Sequence, residues 1–138
     1  MCLFCDIATG RTDAHVVLDD ELCMAFLDHR PLFPGHSLLI PKDHYETLAD
    51  LPHRLLTPLF ANAQLLSLAV EQTFDARGSF VGINNKVSQS VPHLHIHVVP
   101  RRPKDGLRGF FWPRSKYSSE QDAADIATRL RATVEALR

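Results

Sequence analysis

The sequence predicts an α+β domain with a mainly antiparallel sheet, one long inserted helix and a C-terminal helix. Apolar runs of extended character come first in the chain, a long segment of helical period follows, then two more strands and a closing helix. Helices that are separated from consecutive strands are typical of α+β proteins, whereas regular alternation would indicate a doubly wound parallel sheet. The 138 residues, 45% of them hydrophobic, are enough for a single domain over residues 1–138.

The N-terminal part predicts a short helical turn, a hairpin and a third strand. Apolar runs lie on either side of an acidic turn, and another follows a segment rich in proline and glycine. The predicted elements are a helical turn at residues 3–8 and strands at residues 15–18, 22–27 and 36–40.

The rest of the chain predicts two helices and two strands. From Pro52 onward, apolar residues recur at steps of three and four, which indicates an amphipathic helix of about 20 residues. Residues 79–83 predict a fourth strand, and a short polar loop leads to a fifth, antiparallel neighbour. Ser118, with Gln121 three residues later, predicts the start of the second helix as a capping box.

Charge and cysteine content argue against several classes of protein. Fifteen basic and sixteen acidic residues leave a formal charge of -1, so we expect no nucleic acid polymer and no membrane as partner. No apolar run reaches about 18 residues, and we expect neither a membrane span nor a signal peptide. The motif Cys2-Leu-Phe-Cys5 is typical of a reducing compartment, where such spacing serves metal binding or redox chemistry, so we expect a cytoplasmic protein.

Three of the eight histidines alternate in the fifth predicted strand. Since successive strand side chains point to opposite faces, His93, His95 and His97 share one face. The pattern allows a metal site, a nucleophile with acid–base partners, or histidines that only form structural hydrogen bonds. The donors at Gln89 and Ser90 favour phosphoryl chemistry, because charge developing on phosphate oxygens needs donors and neutral imidazole is nucleophilic. His95, centred between two histidines, is the predicted nucleophile.

A segment at residues 88–101 reads Ser-Gln-Ser-Val-Pro-His-Leu-His-Ile-His-Val-Val-Pro-Arg. It strongly resembles the signature of the histidine triad (HIT) superfamily of nucleotide hydrolases and transferases. Residues 26–31 and 34–42 resemble the family's nucleoside-binding segment, so the resemblance covers nearly the whole chain. It implies a homodimer of α+β subunits that cleaves a purine nucleotide at the α-phosphorus through a nucleotidyl-histidine intermediate.

The substrate stays open between two branches of this family. The stretch Trp-Pro-Arg-Ser at residues 112–115 looks somewhat more like the fragile histidine triad branch, which hydrolyses dinucleoside polyphosphates. The other branch acts on adenosine phosphoramidates or acyl-nucleotides.

The resemblance also implies roles for individual residues. His95 corresponds to the nucleophile, His97 to the neighbour that contacts phosphate or leaving group, and His36 to the family's fourth histidine, which we count with the catalytic residues. The residues implied to hold the nucleotide are Asp28 at the ribose hydroxyls and Asn84, Gln89, Ser90 and His97 at the phosphates. Asn85 competes with Asn84, because this loop looks shorter than in many members. From the residues alone, Asp28 can also be a turn residue and His36 a packed loop histidine.

Cys2, Cys5, His44 and His93 resemble the zinc site of many microbial members. Two sulfur and two nitrogen ligands make a closed tetrahedral site, which is structural because no position stays open for water. The alternative is a pair of reduced free thiols.

The basic segment at residues 101–116 has two interpretations. Its arginines could attract polyphosphate, with Phe111 or Trp112 stacking on a base, or it could be a solvated loop. For the protein as a whole, the alternative to an enzyme is a non-catalytic, zinc-stabilised nucleotide-binding interaction protein. The presence of His95 favours the enzyme.

Overall fold

The computed structural model of the protein describes residues 1–108 and 113–138. These residues form two compact units, Met1–Asp105 and Gly106–Arg138. The expectation of one domain over residues 1–138 stays a prediction. Within the described ranges, no helix is both long and apolar enough to span a membrane.

The predicted α+β class is confirmed. The helices are α1 (Leu3–Ala8), α2 (His53–Phe74) and α3 (Glu120–Leu137), with a 3-10 helix at Leu48–Asp50. The strands are β1 (Val16–Asp19), β2 (Cys23–Leu27), β3 (Ser37–Pro41), β4 (Gly78–Gly82) and β5 (Ile96–Arg101). They form one sheet in the order β1-β2-β3-β5-β4, and every neighbouring pair is antiparallel.

Helix α2 covers one face of the sheet with the stripe that its sequence predicts. The buried side chains of this stripe are Leu55, Leu59, Ala63, Leu66 and Val70. They pack against alternate strand residues, among them Ala25, Leu39, Ile96 and Val98. Because β-strand side chains alternate, the residues between these positions must point to the opposite face of the sheet.

Helix α1 covers part of that opposite face. Phe4 and Ile7, three positions apart on one side of the helix, are both buried. They pack with Met24, Phe26, Leu38 and Ile40 in a second apolar cluster. Since Ile96 and Val98 face α2, the histidines that alternate with them lie on the α1 side.

Strand β5 begins later than the alternation predicts. The strand starts at Ile96, and His93 lies in a bend before it. The backbone N–H of His93 donates to the Val91 carbonyl, and that of Leu94 donates to the Tyr45 carbonyl, so neither joins a strand ladder. Of the three histidines, His97 alone lies within the regular strand.

Helix α3 confirms the predicted C-terminal helix but not its predicted start. Its N-cap is Ser119, whose hydroxyl accepts the Asp122 backbone N–H at 3.0 Å. The predicted capping box of Ser118 and Gln121 is therefore wrong, because the same three-residue spacing is satisfied one position later. Gln121 donates its side-chain amide to Asp125 instead.

Candidate active site and metal centre

A cavity of about 720 Å³ lies between α1 and the sheet. Its apolar wall consists of Leu3, Phe4, Ile7, Phe26, Leu38 and Val91. Its polar lining includes Asp28, Ser90, His95 and His97. The volume lies in the range of small-molecule sites, about 300–1,000 Å³, and the mixture of an apolar wall with a few polar groups is typical of them.

His95 has a defined tautomer. Its ring is almost fully buried, and Nδ1 lies 2.7 Å from the carbonyl oxygen of His93. Because a carbonyl oxygen only accepts, Nδ1 must carry the proton. The lone pair is therefore on Nε2, which makes Nε2 the nucleophilic atom that this ring can offer to a molecule in the cavity.

A chain of hydrogen bonds determines which ring nitrogen carries the proton in His36 and in His97. The Leu32 backbone N–H donates to Nδ1 of His36 at 3.0 Å, so the proton of neutral His36 is on Nε2. That Nε2–H donates to Nδ1 of His97 at 2.9 Å, which places the His97 proton on its own Nε2. The Nε2 of His97 is buried and has no hydrogen-bond partner within residues 1–108 and 113–138. Its N–H could therefore donate a hydrogen bond to an oxygen of a bound molecule.

Burial keeps this pair of histidines neutral. Burial, together with the nearby His95 and His36, lowers the pKa of His97 from its ordinary 6.5 to about 4. Burial also lowers the pKa of His36, although the Asp28 carboxylate works in the opposite direction. Both side chains therefore act as neutral hydrogen-bonding groups at neutral pH.

Asp28 belongs to the same group of side chains. Its Oδ2 lies 3.7 Å from Nε2 of His36, while its Oδ1 accepts the Arg30 backbone N–H at 2.9 Å. The second contact is an Asx-type turn, so the turn interpretation of Asp28 holds locally. The two interpretations are compatible, since the turn uses only one carboxylate oxygen.

The loop that precedes the triad is held by its own amide side chains. Asn85 accepts the Leu48 backbone N–H at 2.9 Å. Gln89 accepts the Lys86 backbone N–H at 2.8 Å and donates to the Glu46 carbonyl at 2.6 Å. Among the described residues, neither Asn84 nor Gln89 lines the cavity, whereas Ser90 does. The structure thus brings together Asp28, Ser90, His36, His95 and His97. The Gln89 side chain instead stabilises the loop.

The four predicted metal ligands lie together. The Sγ atom of Cys2 is 3.4 Å from Nδ1 of His93, and Sγ of Cys5 is 3.4 Å from Nδ1 of His44 and 3.5 Å from Nδ1 of His93. The two Nδ1 atoms are 3.3 Å apart. Zinc bonds of about 2.3 Å to sulfur and 2.0–2.1 Å to nitrogen, at tetrahedral angles, require separations of about 3.6 Å and 3.3 Å. The tetrad therefore has the dimensions of a tetrahedral zinc site.

The protonation of the tetrad also suits a cation. Nε2 of His93 lies 2.8 Å from the Pro41 carbonyl oxygen, so it carries the proton and Nδ1 presents a lone pair to the cluster. Burial, and then the neighbouring Cys2, raise the pKa of the Cys5 thiol. A cation would favour the thiolate by offsetting its charge. The residues present therefore fit a structural metal ion.

The apolar wall of the cavity was not predicted from the sequence. Leu3, Phe4 and Ile7 share one short helix with the predicted ligands Cys2 and Cys5, and the three-residue spacing of Phe4 and Ile7 was the available signal.

Arg101 and Arg102 of the basic segment are not among the residues that line the cavity. Arg101 forms an ion pair with Asp105 at 2.6 Å, and Arg102 donates to the Phe74 carbonyl. Phe111 and Trp112, predicted to stack on a base, lie outside the described residues.

Comparisons with known proteins agree with the fold and the motif. A family model described as the HIT domain matches residues 9–104. An uncharacterised HIT-like protein of Saccharolobus solfataricus is 33% identical over 123 residues, which are 87% of this chain and 88% of that protein.

Two further relatives carry names that describe an activity. Adenylylsulfatase HINT3 of Arabidopsis thaliana is 34% identical over 108 residues, 77% of this chain and 55% of that protein. The asymmetrical bis(5'-nucleosyl)-tetraphosphatase of Schizosaccharomyces pombe is 38% identical over 87 residues, 62% of this chain and 48% of that protein. The matched segments thus span about half the length of these two proteins.

Two solved structures are similar over nearly the whole chain. A HIT family protein from Bacillus subtilis has a TM-score of 0.85 at 30% identity, and the match covers 95% of each chain. A zinc-bound histidine triad family protein from Mycobacterium smegmatis has a TM-score of 0.73 at 34% identity and covers 95% and 96% of the two chains. With the triad signature, the antiparallel fold and the match of the family model in agreement, this chain belongs to the HIT family.

Proposed function

We propose that the protein is a nucleotide hydrolase or transferase whose His95 attacks the α-phosphorus of a (di)nucleoside polyphosphate or a nucleoside phosphoramidate. The observation that carries this proposal is the 2.7 Å hydrogen bond from Nδ1 of His95 to the His93 carbonyl. In the neutral ring this bond places the lone pair on Nε2 beside the cavity, and the Nδ1–H stabilises the positive charge that the ring acquires on bonding to phosphorus.

The reaction has two steps. In the first, the Nε2 lone pair forms a bond to phosphorus, and the leaving group departs with the electron pair of its own bond to phosphorus. The Nε2–H of His97 donates a hydrogen bond to the negative charge on the phosphate or leaving oxygen. In the second, water attacks the nucleotidyl-histidine, the electron pair of the P–N bond returns to His95, and the water proton passes to solvent.

The substrate is a purine nucleoside phosphate joined to a leaving group at its α-phosphorus. We place its base against the apolar wall, its ribose at Asp28, and its phosphate near Ser90 and His97. Asn84 and the backbone of the loop at Gln89 extend this phosphate site. The names of two relatives, adenylylsulfatase and bis(5'-nucleosyl)-tetraphosphatase, support an anhydride of a nucleoside phosphate as the substrate.

We assign a structural zinc ion to Cys2, Cys5, His44 and His93. The ligand separations support it, and so does the similarity to the zinc-bound protein from Mycobacterium smegmatis. When bound, the ion would join α1 to the segments that carry the two histidines. The thiols have to stay reduced to bind zinc, which suits a cytoplasmic location.

We also assign a homodimer. Strand β4 is an edge of the sheet, and Val81 on it is 43% exposed. Helix α2, next to this edge, leaves Phe60, Leu65 and Leu68 exposed. An edge strand next to exposed apolar side chains is a surface that a second copy could cover.

Substitution of the nucleophile tests the catalytic proposal. His95→Asn should lower kcat by about 10³-fold or more while AMP still binds, because the amide keeps a hydrogen-bonding group but has no nucleophilic nitrogen. The measurement is AMP release from diadenosine polyphosphates, adenosine phosphoramidate and adenylyl sulfate, together with mass spectrometry of the trapped intermediate. The matched control is His53→Asn, at an exposed histidine that begins α2, which should leave kcat unchanged.

Two results would change the assignment. Substantial turnover by His95→Asn would exclude His95 as nucleophile. A wild-type protein that binds AMP and cleaves none of these substrates would instead be a non-catalytic nucleotide-binding protein.

A further inference from the structure

We propose that Phe4 is a positioning residue for His95 and that the four-ligand metal centre acts on the active site through Phe4. This inference rests on the proposed function, since it takes His95 as the nucleophile.

The Phe4 ring lies between a metal ligand and the nucleophile. Its centroid is 5.1 Å from that of His95, with the two rings perpendicular, and 6.0 Å from that of His93. On a third side it packs against Phe26 at 5.3 Å. Only 4% of Phe4 is exposed, and these three rings restrict its movement on every side except the one that lines the cavity.

The position of Phe4 depends on the metal ligands. A helix as short as α1 has almost no stability of its own and must be held by contacts with the rest of the protein. Cys2 and Cys5, on either side of Phe4 in the sequence, approach the ring nitrogens of His93 and His44. An ion bound by all four ligands therefore ties the backbone of α1 to the segment that carries His93.

His93 contributes to both ends of this arrangement. Its side chain is one of the four assigned metal ligands, and its carbonyl oxygen accepts the hydrogen bond of the His95 Nδ1–H. One hydrogen bond at Nδ1 orients the His95 ring, and the His97 ring contacts it at a centroid distance of 5.0 Å, so the remaining motion is a swing of the ring toward α1. The perpendicular Phe4 ring blocks this motion and holds Nε2 in the line of attack, where a misplacement of about 1 Å can cost about 100-fold in rate.

A comparison of Phe4→Leu with Phe26→Leu tests the positioning role. Both variants remove one ring from the same wall of the cavity, so both should raise the KM for the nucleotide. Only Phe4→Leu removes the ring that contacts His95, and it should lower kcat by about 10- to 100-fold further than Phe26→Leu does. Phe4→Met, which nearly conserves volume, replaces Phe4→Leu if the latter does not fold.

A measurement independent of turnover accompanies the kinetics. Two-bond ¹H–¹⁵N correlations of the His95 ring report its tautomer and its mobility. We expect the Nδ1–H pattern with sharp signals in the wild type and in Phe26→Leu, and broadened or mixed signals in Phe4→Leu. Equal kcat losses in the two variants, or unchanged His95 signals in Phe4→Leu, would overturn the positioning role.

A double-mutant cycle tests the link to the metal centre. Cys5→Ser should disturb the His95 signals when Phe4 is present. It should have much less effect in the Phe4→Leu background, because both changes act through the same ring. Independent, additive effects would overturn the link. If the wild type cleaves no nucleotide, the proposed function fails, and the ring signals still decide whether Phe4 and the metal centre orient His95.

Discussion

At the scale of single residues, the candidate chemistry depends on where three imidazole protons lie. Backbone groups decide this directly in His95 and His36, and the His36 side chain then decides it in His97. The His93 carbonyl places the proton of His95 on Nδ1, and the Leu32 N–H places that of His36 on Nε2. His97 then receives one hydrogen bond and has one N–H to give. A nucleophilic nitrogen on His95 and a hydrogen-bond donor on His97 thus lie in one cavity.

The low pKa of the buried histidines predicts a loss of stability in mild acid. In the folded protein the pKa of His97 is about 4, against an ordinary 6.5, and that of His36 is also lowered. Between these pH values the unfolded chain binds more protons than the folded chain, so the free energy of unfolding should fall as pH decreases from about 6.5 toward 4. Urea unfolding between pH 7 and pH 5 measures this fall, because most carboxylates titrate below this pH interval.

The variant His97→Asn serves as the control for this titration. This variant lacks the histidine with the larger pKa shift. Its free energy of unfolding should therefore change less over the same pH interval, whatever its value at pH 7. A pH dependence as steep as that of the wild type would show that other groups are responsible.

At the scale of elements, α1 is the helix that the assigned metal ion would stabilise. It has six residues, and its N-cap is the Cys2 sulfur, which accepts the Cys5 backbone N–H. A sulfur atom is a weak acceptor, so the cap itself adds little to helix stability. Strand β5 has its ladder with β3 and β4 and does not share this dependence.

Metal removal should therefore lower the stability of the protein measurably. With free zinc near 1,000 times its Kd, bound zinc contributes about 4 kcal/mol, which chelation or Cys5→Ser would remove. Thermal unfolding and metal analysis, with about one zinc per chain expected in the wild type, check this. Cys23→Ala is the matched control, since Cys23 is buried in the core on the α2 side and its variant should keep the chelator-dependent shift in Tm. A folded wild-type protein without zinc after expression in zinc-replete medium would contradict the assignment.

At the scale of the whole molecule, the two edges of the sheet differ. Strand β4 borders α2 and its exposed apolar side chains, whereas β1 is the opposite edge. The β4 edge lies next to a helix surface with exposed apolar side chains. We therefore expect the β4 edge to form the dimer interface.

Charge placed on each edge tests this expectation. Val81→Lys on β4 should convert a dimer to a monomer at micromolar concentration, because a charged residue on an edge strand opposes pairing. Val17→Lys on β1, where the valine is 48% exposed, should stay dimeric. Light scattering of the three proteins gives the result, and a wild-type monomer would exclude the homodimer.

Much of the fold and several residues of the candidate site could be predicted from the sequence. The apolar period identified α2 and its buried face, and the alternation of His93, His95 and His97 indicated that they share one face of the chain. The family resemblance predicted four metal ligands, and the structure brings their ligand atoms within 4.8 Å of one another. Local patterns suffice for these features, because periodicity determines which face of an element a side chain occupies.

Only the tertiary structure decided which groups meet. His36 and His97 are 61 positions apart, and no periodicity reports that their nitrogens lie 2.9 Å from each other. The wall formed by Phe4 and Phe26 also joins α1 to a distant strand. The tautomers depend on the backbone atoms of Leu32 and His93, and every residue has such atoms. A backbone donor or acceptor gains a specific partner only in the folded chain. The tautomers and the contacts between distant residues therefore had no signal in the sequence.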